Sequence, residues 1–404
     1  MTRPSPVKNC AGPPDDLLGP VEVGPVVHGG HCVARHEGRV LFVRHTLPGE
    51  RVLVRVTDDS HARFWRADAV EILEPSPDRV PVRCPVAGPG RCGGCDFQHV
   101  DLAAQRRLKT AVVAEQLQRL AGIEWDGEVV GVDTPETADG LHWRTRMRYQ
   151  VDDDGRAGLR AHRSHALVPL PHDGCPIAHW GTPSVVGERW PAGSELVTAT
   201  SAAGAALLLD GAPRRGATEL TEHAAGRSWR VGADGFWQVH PAAADTLVQA
   251  VLDGLRPQAG ERAFDLYCGV GLFAGALADA GCRVWGLEAG HRAILTARQN
   301  LADVADRVSL RADRVERGLA RLPERTDLVV LDPPRSGAGK QVMAALLGRR
   351  PRAVAYVACD PAALARDLGT AQRHGYVPVS IHGFDLFPMT QHVECVAILE
   401  RSAL

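Results

Sequence analysis

The segment "YVACDPAALARDL" (residues 356–368) places a thiol where an apolar run meets the start of a helical pattern. Residues 353–358 predict a short buried strand, and Asp360 followed by Pro361 predicts a helix N-terminus. Cys359 therefore lies at the carboxyl end of a strand and faces the start of a helix. Backbone N–H groups there stabilise an anion, so we expect this thiol to ionise more readily than a free cysteine. A small buried residue in a turn is the alternative interpretation.

A glycine turn follows an earlier predicted strand in "DLYCGVGLFA", where Gly269 and Gly271 allow the backbone to approach a ligand closely. The same letters also satisfy the dinucleotide pattern. Three carboxylates at the ends of successive strands, Asp265, Glu288 and Asp313, favour S-adenosylmethionine instead, with Glu288 placed for the ribose hydroxyls and Asp313 near the adenine. Solvated carboxylates around a structural turn are the alternative.

The motif "LDPPR" (residues 331–335) ends the following strand with the Asp332 carboxylate and two rigid prolines. Such a segment can fix a substrate beside the cofactor. Amino-group methyltransferases usually follow these prolines with an aromatic residue, and Arg335 takes that position here. The motif therefore argues against N-methylation and favours methylation of carbon, which needs a nucleophile elsewhere.

A second group of cysteines has metal-ligand spacing. The segment "CPVAGPGRCGGC" contains Cys84, Cys92 and Cys95, and Cys175 in "DGCPIAH" is a fourth candidate. The Cys92/Cys95 pair with intervening glycines can fold around a metal, and Cys84 is close enough to complete three ligands. Spacing alone does not choose between zinc and an iron-sulfur cluster.

A basic stretch, "LHWRTRMRYQ" (residues 141–150), carries aromatic residues between its arginines. Such a stretch can bind phosphates and stack on bases. A solvated strand face with alternating charges is the alternative. The basic residues of this stretch and of its continuation are Arg144, Arg146, Arg148, Arg156, Arg160, His162 and Arg163.

The elements that position these residues fall into three regions. Residues from about 20 to 74 alternate apolar and polar and predict a small antiparallel barrel, followed by a proline-rich joint and a polar helix over about 101–121. Residues 144 to about 233 are again strand-like. From about residue 241 strands alternate with helices, which predicts a doubly wound α/β domain with its ligands beyond the strand carboxyl ends.

Composition restricts the class of protein. A net charge of −2 gives no global reason to expect a nucleic-acid partner, so local patches must hold one. No run is long and apolar enough to span a membrane, and the N-terminal segment lacks the apolar stretch of a signal peptide. We therefore expect a cytoplasmic protein without a membrane partner, whose ten cysteines serve as ligands, catalytic thiols or core residues rather than disulfides.

Taken together, these motifs resemble the class I, S-adenosylmethionine-dependent RNA 5-methyluridine (uracil-5-) methyltransferase family, which modifies uridine in tRNA or rRNA. The N-terminal part looks like a TRAM domain, and the cysteine cluster matches the family's iron-sulfur motif. Catalytic-domain signatures of the family are matched by "FWQVH", "DLYCGVG", "LDPPRSG", "ACDPAALARDL" and "HVECVAIL". The resemblance implies a TRAM-like, OB-like β-barrel over residues 15–75 that binds RNA, and an α+β central domain with the cysteine cluster over residues 76–235. A Rossmann-like methyltransferase domain follows over residues 236–404.

The resemblance also implies roles for individual residues. It makes Cys359 a nucleophile that adds to carbon 6 of uracil, and Glu394 the base that later removes the carbon 5 proton. The residues that it implies for S-adenosylmethionine are Gln238, Tyr267, Glu288 and Asp332, with Asp313 near the adenine. The ligands that it implies for a [4Fe-4S] cluster are Cys84, Cys92, Cys95 and Cys175.

Two segments depart from the family pattern. The family usually has Ser-Cys-Asn where this chain has Ala358, Cys359 and Asp360, and it usually has asparagine where this chain has His240. Asp360 can still cap the helix, but its charge opposes thiolate formation if it points at the sulfur. Alternatives to an RNA methyltransferase are a methyltransferase acting on protein or a small molecule, an RNA-binding factor with an inactive methyltransferase-like domain, and a dinucleotide oxidoreductase. We expect a monomer that binds rRNA or tRNA.

Overall fold

A computed structural model describes residues 17–402 of the chain. The N-terminal part is a closed barrel with strand order β1-β2-β3-β5-β4. Alternating valine, leucine and alanine side chains of these strands fill its interior, as the sequence predicts. The strands are β1 (Leu17–Val27), β2 (His31–His36), β3 (Arg39–Arg44), β4 (Arg51–Asp58) and β5 (Phe64–Glu74). Strands β3 and β5 pair in parallel, so the predicted antiparallel pairing is wrong for this one pair.

A loop with the three clustered cysteines connects the barrel to a long helix, α1 (Leu102–Ala121), and a short strand, β6 (Val129–Gly131). Asp101 caps α1, because its carboxylate accepts hydrogen bonds from the N–H groups of Ala103 and Ala104. The left-handed Gly122 ends the helix. The helix predicted over 101–121 is therefore confirmed.

The central region is built from antiparallel strands. A six-stranded sheet has the order β12-β11-β10-β7-β8-β9, and a separate ribbon pairs β13 with β14. The strands are β7 (Arg146–Val151), β8 (Ala157–Arg160), β9 (Leu167–Pro169), β10 (Glu195–Ser201), β11 (Gly204–Leu209), β12 (Ala212–Gly216), β13 (Glu219–Ala224) and β14 (Arg227–Gly232).

The remainder of the described chain alternates helices and strands, and these strands form most of an eight-stranded sheet. The helices are α2 (Ala243–Leu255), α3 (Leu272–Asp279), α4 (His291–Asn300), α5 (Val315–Gly318), α6 (Gly339–Leu347) and α7 (Pro361–Arg373). The strands are β15 (Arg262–Leu266), β16 (Arg283–Glu288), β17 (Val308–Ala312), β18 (Leu328–Leu331), β19 (Ala353–Ala358), β20 (Tyr376–Asp385) and β21 (Glu394–Arg401).

The order in this sheet is β17-β16-β15-β18-β19-β21-β20-β6. Strands β15 to β19 run parallel to one another, and β21 is antiparallel to both β19 and β20. Apolar clusters cover both faces of the sheet, which is the doubly wound arrangement expected from the sequence. The α/β fold class with a preceding barrel is confirmed.

The outer strand β6 comes from the central region and pairs in parallel with β20. Residues on both sides of the boundary predicted at 235/236 therefore share one sheet. The three domain ranges stay predictions; residues 15 and 16 of the first range and residues 403 and 404 of the third lie outside the described residues. None of the helices in residues 17–402 has the length and apolar character that a membrane crossing requires.

Candidate active site and cysteine cavity

The predicted cofactor residues lie along the carboxyl edge of the parallel strands. Tyr267 follows β15, Glu288 ends β16, Asp313 follows β17 and Asp332 follows β18. Leu266 pairs with Leu331 in the ladder, so the segments after β15 and β18 begin side by side. The fold therefore brings four predicted side chains to one edge, where ligands of such sheets bind.

The turn after β15 is shaped for close approach of a ligand. Gly269 has φ +53°, and a Cβ atom built on it meets no atom within 4 Å. The carboxylate of Glu288 accepts hydrogen bonds from the N–H groups of Gly269 (3.2 Å) and Gly290 (2.6 Å), which fix its position at the strand end. A fixed carboxylate beside an open glycine turn suits the ribose hydroxyls of S-adenosylmethionine.

Asp265 was counted among the carboxylates that favour a cofactor site, but its observed hydrogen bond is structural. Its side chain is buried in the sheet, and one carboxylate oxygen accepts a hydrogen bond from the N–H group of Ala274 in α3 (2.8 Å). Burial raises the pKa of Asp265 to about 8. Asp265 therefore ties the end of β15 to the first turn of α3, which follows the glycine turn.

Gln238 and Asp332 approach each other across this edge. The amide Nε2 of Gln238 donates to Oδ2 of Asp332 at 3.5 Å. Burial raises the pKa of Asp332 to about 7. Asp313 lies farther along the edge, and its carboxylate pairs with Arg321 at 3.0 Å.

The predicted nucleophile and base are brought together by the antiparallel pairing of β19 and β21. Ala358 pairs with Cys395, so the next position of the ladder places Cys359 opposite Glu394. Directly opposed residues point to the same face, with Cβ atoms about 4.5–5.5 Å apart. Glu394 is buried, and Cys359 is half-buried. Two residues separated by a helix and a strand thus share one site with Asp332.

The ionisation of the thiol differs from the sequence-based expectation. Burial, followed by the negative charges of Glu394 and Asp332, raises the pKa of Cys359 to about 12. The Arg335 guanidinium lowers the pKa of Cys359, and the Asp360 carboxylate raises it further. Burial and the Asp332 charge also raise the pKa of Glu394 well above its ordinary value. The predicted easy ionisation of Cys359 is wrong, because burial and the neighbouring carboxylates raise its pKa more than Arg335 lowers it.

Asp360 caps α7, as expected. Its Oδ1 atom accepts a hydrogen bond from the N–H group of Ala363 at 2.7 Å, and Pro361 occupies the first turn. The other oxygen, Oδ2, accepts a hydrogen bond from Nε2 of His28 in the barrel at 2.9 Å. No feature of the sequence indicates this contact, because the two residues are 332 positions apart.

His240 replaces the usual asparagine without loss of a cap-like hydrogen bond. Its Nδ1 atom accepts a hydrogen bond from the N–H group of Ala242, just before α2, at 3.2 Å. The ring is buried and stacks near Trp143 at a centroid distance of 6.3 Å. Burial lowers the pKa of His240 to about 4, so the ring is neutral.

A buried carboxylate on α7 also positions the active-site loop, and it was not among the predicted residues. Oδ2 of Asp367 accepts hydrogen bonds from Tyr356 Oη (2.7 Å) and from the N–H groups of Ala338 (2.8 Å) and Gly339 (3.1 Å). These bonds fix the start of α6, directly after the loop that carries Asp332. The sequence signal that could have identified Asp367 is an aspartate among the apolar residues of "ALARDL".

The four predicted metal ligands line one cavity of about 520 Å³. Sulfur atoms there receive hydrogen bonds: Gln98 Nε2 donates to Cys95 at 3.6 Å, and the backbone N–H groups of Gly94 and Ile177 point to Cys92 and Cys175. N–H groups directed at sulfur suit thiolate ligands of an iron-sulfur cluster. Within residues 17–402 no group of three or more His, Cys, Asp or Glu side chains is arranged to hold a metal ion. The cavity nevertheless has room for a group larger than one ion.

The basic stretch is less available to RNA than its sequence suggests. Arg146 is buried, donates to Glu222 at 2.9 Å and donates to the carbonyl oxygen of Gly232 at 2.9 Å. Its predicted contact with phosphate is therefore corrected to a structural role. Arg148 is exposed and pairs with Glu195 at 2.7 Å.

Comparison with known proteins identifies the family. Residues 220–402 match the model of the tRNA (uracil-5-)-methyltransferase family, and residues 20–70 match the TRAM domain. An uncharacterized RNA methyltransferase of Streptomyces coelicolor is 53% identical, over 95% of this chain and 93% of the relative. A similarly described protein of Bifidobacterium longum is 36% identical, over 92% of this chain and 94% of the relative.

The fold also matches a solved structure. The Pyrococcus abyssi tRNA (uracil-54, C5)-methyltransferase, solved with S-adenosyl-L-homocysteine, superimposes with a TM-score of 0.70 at 22% identity. The match covers 94% of this chain and 99% of the other. Barrel, central region and catalytic sheet therefore share one architecture with that protein. From its sequence relatives and its matching family models, this chain belongs to the S-adenosylmethionine-dependent RNA (uracil-5-)-methyltransferase family and carries an N-terminal TRAM domain.

Proposed function

We propose that this enzyme methylates carbon 5 of a uridine in tRNA or rRNA through a covalent bond between Cys359 and carbon 6 of the base. The observation that carries the proposal is the β19–β21 register, which sets Cys359 opposite Glu394 beside Asp332. A nucleophile and a base on one face are what carbon 5 methylation of uracil requires. Neither residue has a comparable use in N-methylation.

The Cys359 thiol loses its proton to solvent, and the sulfur forms a bond to carbon 6 while the electrons of the double bond between carbons 5 and 6 move toward the carbonyl oxygen at carbon 4, so that carbon 5 becomes nucleophilic as an enolate. Carbon 5 then takes the methyl group that S-adenosylmethionine supplies, and S-adenosylhomocysteine is the leaving group. Glu394 removes the carbon 5 proton, the double bond between carbons 5 and 6 re-forms, and the carbon 6–sulfur bond breaks to release the thiolate.

We assign the binding of S-adenosylmethionine to the predicted residues at the carboxyl edge of the parallel strands. Glu288 is placed for the ribose hydroxyls, and Tyr267 and Asp313 lie on either side of it along the strand ends. Gln238 and Asp332 contact each other between this edge and Cys359, so they are placed to hold the methyl-donor end near the base.

Replacement of the proposed base and nucleophile separates the steps of this mechanism. The Glu394→Gln variant should bond to RNA and methylate it but fail to eliminate, so labelled enzyme–RNA adducts accumulate on a denaturing gel. The Cys359→Ala variant should give neither adduct nor product. Cys282→Ala, which changes a buried thiol at the opposite end of the sheet, is the matched control and should behave as the unaltered enzyme.

Two results would overturn the mechanism. Product formation by Cys359→Ala would exclude covalent catalysis, and normal turnover by Glu394→Gln would assign the proton removal elsewhere. Fractionated tRNA and rRNA from cells that lack this gene, supplied as separate substrates, assign the RNA class, because only the natural substrate carries the unmethylated target uridine.

We also propose that Cys84, Cys92, Cys95 and Cys175 hold a [4Fe-4S] cluster. The common cavity and the N–H groups directed at sulfur support this proposal. Bound there, the cluster would tie the loop before α1 to the central sheet. Anaerobically purified protein should be brown and contain about four iron atoms per chain. Stoichiometric zinc without iron would contradict it.

A further inference from the structure

The turn between β1 and β2 of the barrel reaches the catalytic domain. Gly30 in this turn has φ +72°, and a Cβ atom added there would lie 2.7 Å from Cβ of Gln391 and 3.3 Å from Cβ of Asp96. Gln391 lies three residues before Glu394 in the chain. The close approach shows that this turn is seated against the segment leading to the proposed base.

His28, in the same turn, makes the hydrogen bond to Asp360 described above. Both side chains are partly shielded, with exposed fractions of 34% and 23%. Oδ1 of Asp360 binds the N–H group of Ala363 and Oδ2 binds His28, so both oxygens of the carboxylate have partners. The barrel therefore supplies one of the two contacts that fix this carboxylate next to Cys359.

The position of this carboxylate matters because it is charged. Burial opposes its ionisation, but the hydrogen bonds from His28 and Ala363 prevail and hold the pKa of Asp360 below its ordinary value. The negative charge of Asp360 raises the pKa of Cys359, as Glu394 and Asp332 also do. Arg335 lowers that pKa. The positive charge of Arg366 on α7 also lowers the pKa of Asp360.

We propose that His28 is a positioning residue of the catalytic site, supplied by the TRAM barrel, which holds the Asp360 carboxylate and offsets its charge beside Cys359. This inference rests on the proposed role of Cys359 as the nucleophile. Without His28, one carboxylate oxygen loses its partner and is free to turn toward the sulfur. Formation of the thiolate then becomes harder, while the cofactor edge is untouched.

Replacement of His28 tests this role through the separate behaviour of kcat and KM. His28→Ala should lower kcat about tenfold, as a one-unit rise in the pKa of the thiol would, with little change in the KM for RNA. His28→Gln should restore most of the rate, because the Nε2 atom of glutamine occupies nearly the same place and donates the same bond. His36→Ala, at the other end of β2, is the matched control and should leave the rate unchanged.

The Asp360→Asn background gives the decisive comparison. Because asparagine carries no charge to offset, adding His28→Ala to Asp360→Asn should change kcat by less than about threefold, so the two effects are not additive. An equal loss in both backgrounds would overturn the proposal, as would a loss confined to the KM for RNA. Melting temperature and S-adenosylmethionine affinity, measured for every variant, identify any that has lost its fold.

The result is distinguishable from a failure of the proposed function. If Cys359→Ala retains activity, the covalent mechanism fails whatever His28 does. If Cys359→Ala is inactive and His28→Ala is fully active in the Asp360 wild-type background, only the inference about His28 fails.

Discussion

At the scale of single residues, the active site is a cluster of acids that resist ionisation. Burial and neighbouring carboxylates raise the pKa values of Cys359 and Glu394, and burial raises the pKa of Asp332 to about 7. Two fixed charges near the thiol act in opposite directions: Arg335 favours the thiolate and Asp360 disfavours it. The rate at which the Cys359 thiol reacts should therefore depend on the charges of Arg335 and Asp360.

Alkylation of Cys359 by iodoacetamide tests this charge control, because the thiolate is the reacting form. The rate should keep rising with pH beyond 9 in the unaltered enzyme. At pH 8, Asp360→Asn should speed alkylation and Arg335→Gln should slow it, each by about threefold to tenfold. Peptide mass spectrometry measures the rate at this residue, and a plateau below pH 8 would contradict a raised pKa.

Sequence reasoning at the residue scale succeeded where chemistry follows local pattern. The strand–thiol–cap order around Cys359 and the carboxylates at strand ends are visible in short segments, since each strand end is marked by a change from apolar to polar residues. Sequence reasoning failed where the properties of a side chain depend on its burial and on residues distant in the chain. The pKa of Cys359, the burial of Arg146 and the bond from His28 all depend on how distant segments pack.

At the scale of elements, one buried ion pair joins the central helix to the catalytic sheet. Lys109 on α1 donates to Asp385 at the end of β20 at 2.5 Å and to the carbonyl oxygen of Phe387 at 3.0 Å. Lys109 and Asp385 are both buried. The extent of α1 was predicted from sequence, but its packing against β20 and α7 was not, because polar residues such as Gln105, Lys109 and Gln116 share its buried face with apolar ones.

Breaking this pair on one side should destabilise the protein strongly. Lys109→Met leaves the Asp385 carboxylate buried with only Arg106 at 3.7 Å, so we expect a loss of about 3–5 kcal/mol in the free energy of unfolding. The double variant Lys109→Met/Asp385→Leu should lose much less, because no buried charge is left unpaired. Urea unfolding of the three proteins measures the difference, and equal losses in the single and double variants would contradict this account.

At the scale of the whole molecule, two sets of buried groups give opposite pH dependences. Several histidines have pKa values lowered mainly by burial, so the unfolded chain binds more protons than the folded chain below about pH 6.5 and stability rises with pH there. Asp265 and Asp332 have raised pKa values of about 8 and 7, so the folded chain keeps protons that the unfolded chain has lost, and stability falls as pH rises to about 8. The histidines are His31, His45, His99, His162, His179, His240 and His392.

The cofactor-free protein should therefore be most stable near pH 6.5 and lose stability toward pH 8. Asp265→Asn should flatten the decline above pH 6.5, because the variant no longer takes up that proton on folding; the slope should change by up to about 1.4 kcal/mol per pH unit. Urea unfolding midpoints between pH 5 and pH 9 measure both effects. A stability that keeps increasing from pH 6.5 to pH 8 would contradict the raised carboxyl pKa values.

The sheet order has a consequence for the way the chain is made on the ribosome. Strand β6 emerges long before its partner β20, and β19 also precedes the β20–β21 hairpin, so the last strands must enter a gap between two strands that are already synthesised. Glu394 begins β21 and arrives with this hairpin. A nascent chain that has exposed the thiol of Cys359 therefore still lacks its proposed base. Until β21 has left the exit tunnel, such a chain lacks the carboxylate that completes the proposed reaction after methyl transfer.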